Sequence, residues 1–522
     1  MDAIDSVQLS RLARSAIARR DWQTLERAAS VLYQREPDDP ESLFLAGVMA
    51  RARGQTADAI SHFENGLKQA PERYDLAVEL ASQLSLSSQH HTAFNLLEPH
   101  LPALANSPFY SDLAATILVE LGLPERALPL AEMAHSLQPD VDLFAANLAN
   151  CCSYVGQNGR AAELYERLLQ RAPNNRRNHY FLSRVRKAVD DQHITQMDAV
   201  LKQDPAPEER NIFLFFAQGK EFEDLGRWDE AFFAYERGCR AIKKLAPDGL
   251  AVELNKLRLA AGMLPATAIE ATSSGMGAVR QRPLFIVGLP RTGSTLTERI
   301  LSSHSEVISL GETRYFEKAL QSVFGSVSEA IVQIPRCSSD QLHAVASYFR
   351  EAAAFRMQDC QFFIDKLPLN FLFVPAIARA FPEALFIYTG RQPEAACFSM
   401  FKQLFTGEYL FSYDLADIGA YFGEHDRFRS QLAEVLGERW IEVSYEAMVR
   451  QPATEIPELL GRLGLPMEEA CLQPQQNFAA SMTASAVQVR EPIHQGAVES
   501  WRHFEAHLNP LKVALGNHLA NE

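Results

Sequence analysis

Two patterns of apolar and polar positions divide the chain. From Pro283 onward, short apolar runs alternate with longer stretches of helical spacing. Leu284–Val287, Val307–Ser309, Phe362–Asp365, Leu385–Thr389 and Trp440–Val443 read as buried strands. Thr295–Ser303, Tyr315–Val323, Ser339–Met357, Leu369–Ala380, Pro393–Gln403 and Ala453–Leu463 read as the helices between them. Strands separated by helices predict a doubly wound α/β domain with a parallel sheet, its ligand at the carboxyl ends of the strands.

Before Pro283 the pattern is a repeat. Prolines stand at Pro37, Pro71, Pro139 and Pro173, on a common step of 34 residues with Ala105 in the vacant slot. Alanines keep the step at Ala59, Ala93, Ala127 and Ala161. Gly54, Gly122 and Gly156 precede three of these alanines by five residues, and Gly226 and Ala231 repeat that offset. This is the tetratricopeptide (TPR) period. Gly ends the first helix of each unit, Ala lets two helices approach, and Pro stops the second helix. Six or seven units are expected between Val7 and Lys244, the last two irregular, with 176–205 the weakest fit. The chain therefore reads as an N-terminal α-solenoid (1–259), a linker rich in Ala, Gly, Ser and Thr (260–281) and a P-loop-like α/β domain (282–522).

At 522 residues, two or more domains are expected. The net charge of −15 disfavours nucleic-acid binding but leaves room for a local basic pocket. Seven cysteines without metal-ligand spacing, no signal-peptide pattern and no apolar run of membrane length point to a reducing, cytoplasmic setting without metal or membrane.

The stretch with most chemistry is PLFIVGLPRTGST, residues 283–295. Strand, glycine turn and helix start aim backbone N–H groups at an anion. Gly288, Gly293 and Thr295 hold nucleotide-loop positions, but Ser294 replaces the lysine that reaches β- and γ-phosphates, which argues against ATP or GTP hydrolysis. A cation stands within the loop instead, at Arg291, where a guanidinium can bind an oxyanion bidentately.

This loop resembles the phosphosulfate-binding loop of sulfotransferases, which bind 3′-phosphoadenosine-5′-phosphosulfate (PAPS). Its Pro-Arg-x-Gly-Ser-Thr form is most similar to tyrosylprotein sulfotransferases. The resemblance implies a cofactor cradle of Arg291, Thr292, Gly293, Ser294 and Thr295. GETR at 311–314 is similar to that family's GEETR-like motif, implying Glu312 as catalytic base and Arg314 as a contact to the acceptor. Lys366, in DKLPLN, resembles the family lysine at the bridging oxygen, while Asn370 reads as a helix N-cap. Arg391 and Ser399 resemble the Arg-x7-Ser arrangement that binds the 3′-phosphate. Tyr445-Glu446 resembles a recurrent Tyr-Glu pair of the family near the cofactor, implying Tyr445 beside base or ribose. Ser485 and Arg490, around Gln488, resemble a C-terminal lid over the phosphosulfate, with Trp501 packing it down. His304 reads as a packing residue, and His494 lies beside the lid.

Together these imply a PAPS-dependent sulfotransferase acting without metal, with catalytic groups Glu312, Lys366 and Arg291 and a tyrosine in a peptide or protein as acceptor. A glycan, lipid or small-molecule hydroxyl, or an inactive transferase half on a TPR scaffold, are the alternatives. The array would serve as groove for the acceptor or another partner, as homodimer surface, or as passive support. Golgi tyrosylprotein sulfotransferases are membrane-anchored, and the chain departs from them there.

Overall fold

The computed structural model describes residues 4–203, 207–264, 281–357, 359–405, 407–483 and 485–518. Most of the expected linker, residues 265–280, lies outside them. Contacts divide the chain into two compact units, Met1–Cys151 with Glu351–Phe355, and Cys152–Arg350 with Arg356–Glu522. The later repeats thus share a unit with the sheet, because helices between 158 and 262 pack on the elements that follow Pro283.

The repeat period is kept closely. First helices begin at Ser6, Pro40, Tyr74, Pro108, Asp142 and Arg176, and second helices at Trp22, Thr56, His90, Pro124, Asn158 and Gln192, each series on a step of 34. Within 176–205 both starts are retained, but the first helix, Arg176–Val185, is shortened to 10 residues. The next pair is Ile212–Asp224 and Trp228–Leu245, and Gly249–Gly262 runs into the expected linker. Ala59, Ala93, Ala127, Ala161 and Ala231 are all fully buried, as close helix approach requires.

Gly54, Gly122, Gly156 and Gly226 take φ between 71° and 85°, the left-handed turn between paired helices. The same slot is filled by Arg20 (φ 57°) and Ser88 (φ 62°), where a Cβ makes that conformation unfavourable. Arg20→Gly and Ser88→Gly are each expected to raise stability by about 0.5–1 kcal/mol. Urea denaturation of the full chain measures it, and a lowered midpoint in both variants would refute the strain argument.

The second unit is built on a five-stranded sheet: β1 (Arg282–Gly288), β2 (Val307–Ser309), β3 (Phe362–Asp365), β4 (Leu385–Gly390) and β5 (Trp440–Ser444), in order β2-β3-β1-β4-β5. All neighbours are parallel. Side-chain alternation along the strands separates two cores. One face is mainly aliphatic, with Leu284, Ile286, Ile364, Ile387 and Ile441 under the helix Pro452–Leu463. The other is aromatic: Phe285 packs with Phe349, Phe381 and Phe386. The direction of winding changes at β1, so the crevice between the carboxyl ends of β1 and β4 is the topological switch point where ligands bind.

The longest helix, Leu415–Leu436, was not expected from the sequence. Its inward positions include Gly419 and His425, which dilute the apolar pattern. Gly419 has a packing reason: a Cβ there would lie 2.6 Å from Ala514 Cβ. His425 is stacked on Phe371 (centroids 4.0 Å apart) with neither ring nitrogen hydrogen-bonded. Burial, above all, pushes its imidazole down to about 3 from 6.5. His425→Phe removes two unsatisfied buried atoms and is expected to stabilise by about 1–3 kcal/mol. Below pH 6.5 the unfolded wild type takes a proton that the folded state refuses, so the variant's advantage widens as pH falls toward 3. Urea unfolding at pH 7.5 and 5.5 tests this; an advantage that shrinks on acidification would contradict it.

Candidate functional site

β1 ends at Gly288 (φ 139°), and the chain turns through Arg291 and Gly293 into the helix Ser294–Leu301. Arg291 is itself left-handed, φ 69°, a strained conformation for an arginine. Gly293, φ 97°, allows close approach by Tyr445: a Cβ would stand 2.5 Å from that ring. No side chain caps this helix, leaving its first N–H groups oriented for an anion. The loop is fastened to β4 by the Thr292 hydroxyl, which donates to the Leu289 carbonyl (2.8 Å) and meets the Thr389 hydroxyl at 2.9 Å. Ser294 and Thr295 are buried at the helix start.

Cations converge over this turn. Arg391, after β4, donates from Nη1 to the Arg291 carbonyl at 3.0 Å, and its guanidinium lies 4.7 Å from the Tyr445 ring centroid. Its Nε is buried without a partner. Arg291 reaches Ser399 (Nε to Oγ, 3.4 Å), Ser485 (Nη1 to Oγ, 2.5 Å) and Gln488 (Nη2 to Oε1, 3.3 Å). Among the described residues no carboxylate ion-pairs with Arg291 or Arg391. Burial first, then Arg184 and Arg391, pull the Arg291 pKa down to about 10. Clustered guanidiniums without carboxylates form a pocket for a multiply charged anion.

A second cluster lies at the ends of β2 and β3. Lys366 is fully buried, pairs with Glu312, and has Glu298 of the loop helix 3.5 Å away. Burial alone would lower its ammonium pKa, but Glu312 and Glu298 outweigh it and the net shift is upward. Asp365 accepts from Thr313 (2.8 Å) and Asn370 (3.1 Å), and burial raises its carboxyl to about 7. Asn370 is therefore not a helix cap: it sits in the tight turn Pro368–Phe373 and holds Asp365.

Two sequence-singled residues point elsewhere, Arg314 and Arg490. Arg314 pairs with Glu317 (3.0 Å) and Glu408 and is half exposed. Arg490 donates to the Tyr154 carbonyl (2.9 Å) and lies flat on Gly156, so within the C-terminal segment Ser485 and Gln488, not Arg490, face the loop. His304 is a buried packing residue, bonded to the Pro466 carbonyl at 2.9 Å. His494 is exposed beside Glu491, 3.4 Å away. Trp501 is buried.

Sequence reasoning missed Glu298 and Arg184. Glu298 lies four residues past Ser294, one helical turn along from the loop, a spacing that could have drawn attention to it. Arg184 carried no signal, because it belongs to the repeat helix Arg176–Val185. It donates to Gln403 at 3.1 Å, just beyond the helix Pro393–Phe401 that bears Ser399.

Among the described residues, no helix is long and apolar enough to cross a membrane, and no group of His, Cys, Asp and Glu side chains could hold a metal ion. Residues 283–469 match the sulfotransferase family. An uncharacterised protein of Aquifex aeolicus (strain VF5) is 28% identical over 335 residues, 62% of this chain and 44% of that protein. The chain thus spans less than half of that relative's length. A putative protein-tyrosine sulfotransferase of Caenorhabditis briggsae is 25% identical over 226 residues, 42% of this chain and 80% of that one. Among solved structures, the sulfotransferase domain of the Synechococcus PCC 7002 olefin synthase is similar at 21% identity and TM-score 0.30, covering 43% of this chain and 88% of that domain. From Pro283 to Glu469 the α/β part of the chain is similar to the sulfotransferase family, and it follows an array of tetratricopeptide period.

Proposed function

We propose that the protein is a PAPS-dependent sulfotransferase that sulfates an acceptor hydroxyl, most specifically a tyrosine in a peptide or protein. The observation that carries the reading is the meeting of Arg291 and Arg391, from the turns after β1 and β4, with no carboxylate among the described residues ion-paired to either. The site fits a bisphosphorylated donor: Arg391 retains a buried, unpartnered Nε, and the uncapped loop helix offers free N–H groups.

PAPS would supply an activated sulfuryl group: the acceptor oxygen bonds to sulfur as the S–O bond to the 5′-phosphate breaks, that bond's electron pair leaving on the phosphate. Arg291, Thr292, Gly293, Ser294 and Thr295 would hold the 5′ end, and Arg391 with Ser399 the 3′-phosphate. Tyr445, flat under Arg391, would border the nucleoside. Ser485 and Gln488 would close the site through Arg291. Glu312 would take the acceptor proton, and Lys366 would neutralise charge gathering on the bridging oxygen.

A sugar, lipid or metabolite hydroxyl is the second reading. It is favoured by Arg314, which is held by Glu317 and Glu408 rather than standing open to an acidic peptide. The array would serve as a docking surface for a protein acceptor in the first reading, and in either as a contact with a second copy or as support. The described cysteines are all unpaired, which suits a reducing compartment such as the cytoplasm.

Transfer of label from radiolabelled PAPS to tyrosine peptides and to sugar acceptors, by wild type and Glu312→Ala, tests the proposal. Transfer by wild type alone supports it, and the labelled product names the acceptor class. Absence of any PAPS binding would overturn it in favour of a scaffold.

A further inference from the structure

We propose that Glu298 is a positioning residue for Lys366, holding the ammonium charged and aimed while Glu312 takes up the acceptor's proton. The inference rests on the sulfuryl-transfer reading above.

Lys366 is a buried cation with two carboxylates on it, one more than charge neutrality needs. They differ in surroundings. Glu312 is the more open, 39% exposed against 13% for Glu298. Glu298 is fixed at both oxygens: Oε2 lies 3.5 Å from Lys366 Nζ, and Oε1 accepts from Ser309 Oγ at 2.5 Å. Ser309 Oγ in turn accepts from the Gly311 N–H at 2.9 Å, and the Lys366 N–H donates to the Gly311 carbonyl at 3.0 Å. The loop helix, the end of β2, the turn bearing Glu312 and the end of β3 thus form one hydrogen-bonded circuit. The remaining acid beside Lys366, Asp365, has its oxygens occupied by Thr313 and Asn370.

This arrangement answers a difficulty in the proposed reaction. A base that abstracts a proton becomes neutral. If Glu312 were the sole partner of Lys366, its protonation would leave a buried ammonium without a counter-ion, and burial favours loss of the ammonium proton. Glu298 prevents that loss, because no step protonates it. Its place on the loop helix also ties the aim of Lys366 to the anion-binding turn. Two carboxylates on one lysine therefore divide the work: one exchanges a proton, the other holds the charge.

Glu298→Gln keeps size and hydrogen bonding while removing the charge. Titration of ligand-free protein carrying 13C-labelled lysine, with Lys366→Arg identifying the signal, should show the Lys366 midpoint lowered by at least one pH unit. In sulfuryl transfer, kcat should fall about 10–100-fold with the KM for PAPS changed less than threefold, and the alkaline limb of kcat should move to lower pH. An unchanged midpoint and kcat in Glu298→Gln, with wild type active, would overturn the positioning role alone. A wild type that binds no PAPS would overturn the underlying reaction, a separate result. Should Glu298→Gln fail to fold, Ser309→Ala decides: a smaller shift in the same directions supports the role, and none overturns it.

Discussion

Glu312→Gln is expected to lower kcat for sulfuryl transfer by about 10²–10⁴-fold while leaving the affinity for 3′-phosphoadenosine-5′-phosphate within about threefold. Of the two carboxylates paired with Lys366 among the described residues, the change removes the one open enough to meet an acceptor. It does not orphan the buried ammonium, because Glu298 remains 3.5 Å from it. The variant should therefore fold and bind the nucleotide as wild type does, and the defect should sit in the chemical step. Single-turnover measurement with saturating PAPS, paired with calorimetric titration of the nucleotide, separates the two. A kcat within fivefold of wild type would move the base elsewhere.

Arg291→Met is expected to weaken that nucleotide's binding by about 10²–10³-fold, from the loss of charge-assisted hydrogen bonds to the 5′-phosphate. The same change should raise the melting temperature of the ligand-free protein. Arg291 is half-buried, faces other guanidiniums and has no carboxylate paired to it among the described residues, and its pKa falls from 12.5 to about 10. Below pH 10 the group is charged in both folded and unfolded states, so its cost to the fold is constant through neutral pH. Saturating nucleotide should stabilise wild type strongly and the variant little. Scanning calorimetry with and without nucleotide checks both halves. A ligand-free melting temperature well below that of wild type would mean that the bonds to Ser399, Ser485 and Gln488 outweigh the repulsion.

The position of each strand was legible because each is a short apolar run bounded by polar or glycine residues, and all five are present where expected. The repeat starts were legible because Gly, Ala and Pro act locally, through backbone conformation and helix spacing. The helix Leu415–Leu436 was not, since its inward face carries a glycine and a histidine that matter only against Ala514 and Phe371. Asn370 looked like a cap by its neighbours in sequence, yet its amide serves Asp365, a partner set by how the turn folds back.

The candidate site divides along the same line. Arg291, Glu312, Lys366, Arg391 and Ser399 could be picked out in the chain because each stands in or just after a turn at a strand's carboxyl end, or on the helix that follows. That Arg291 and Arg391 meet, that Lys366 lies between Glu312 and Glu298, and that Arg490 turns to Tyr154 were decided by packing alone. Local pattern determines secondary structure and the chemical type of a residue. Which charges face each other depends on contacts between residues tens to hundreds of positions apart. Arg184 shows the difference most plainly: its sequence places it in a repeat helix, and only the packing of that helix on the sheet's unit brings its charge to bear on Arg291.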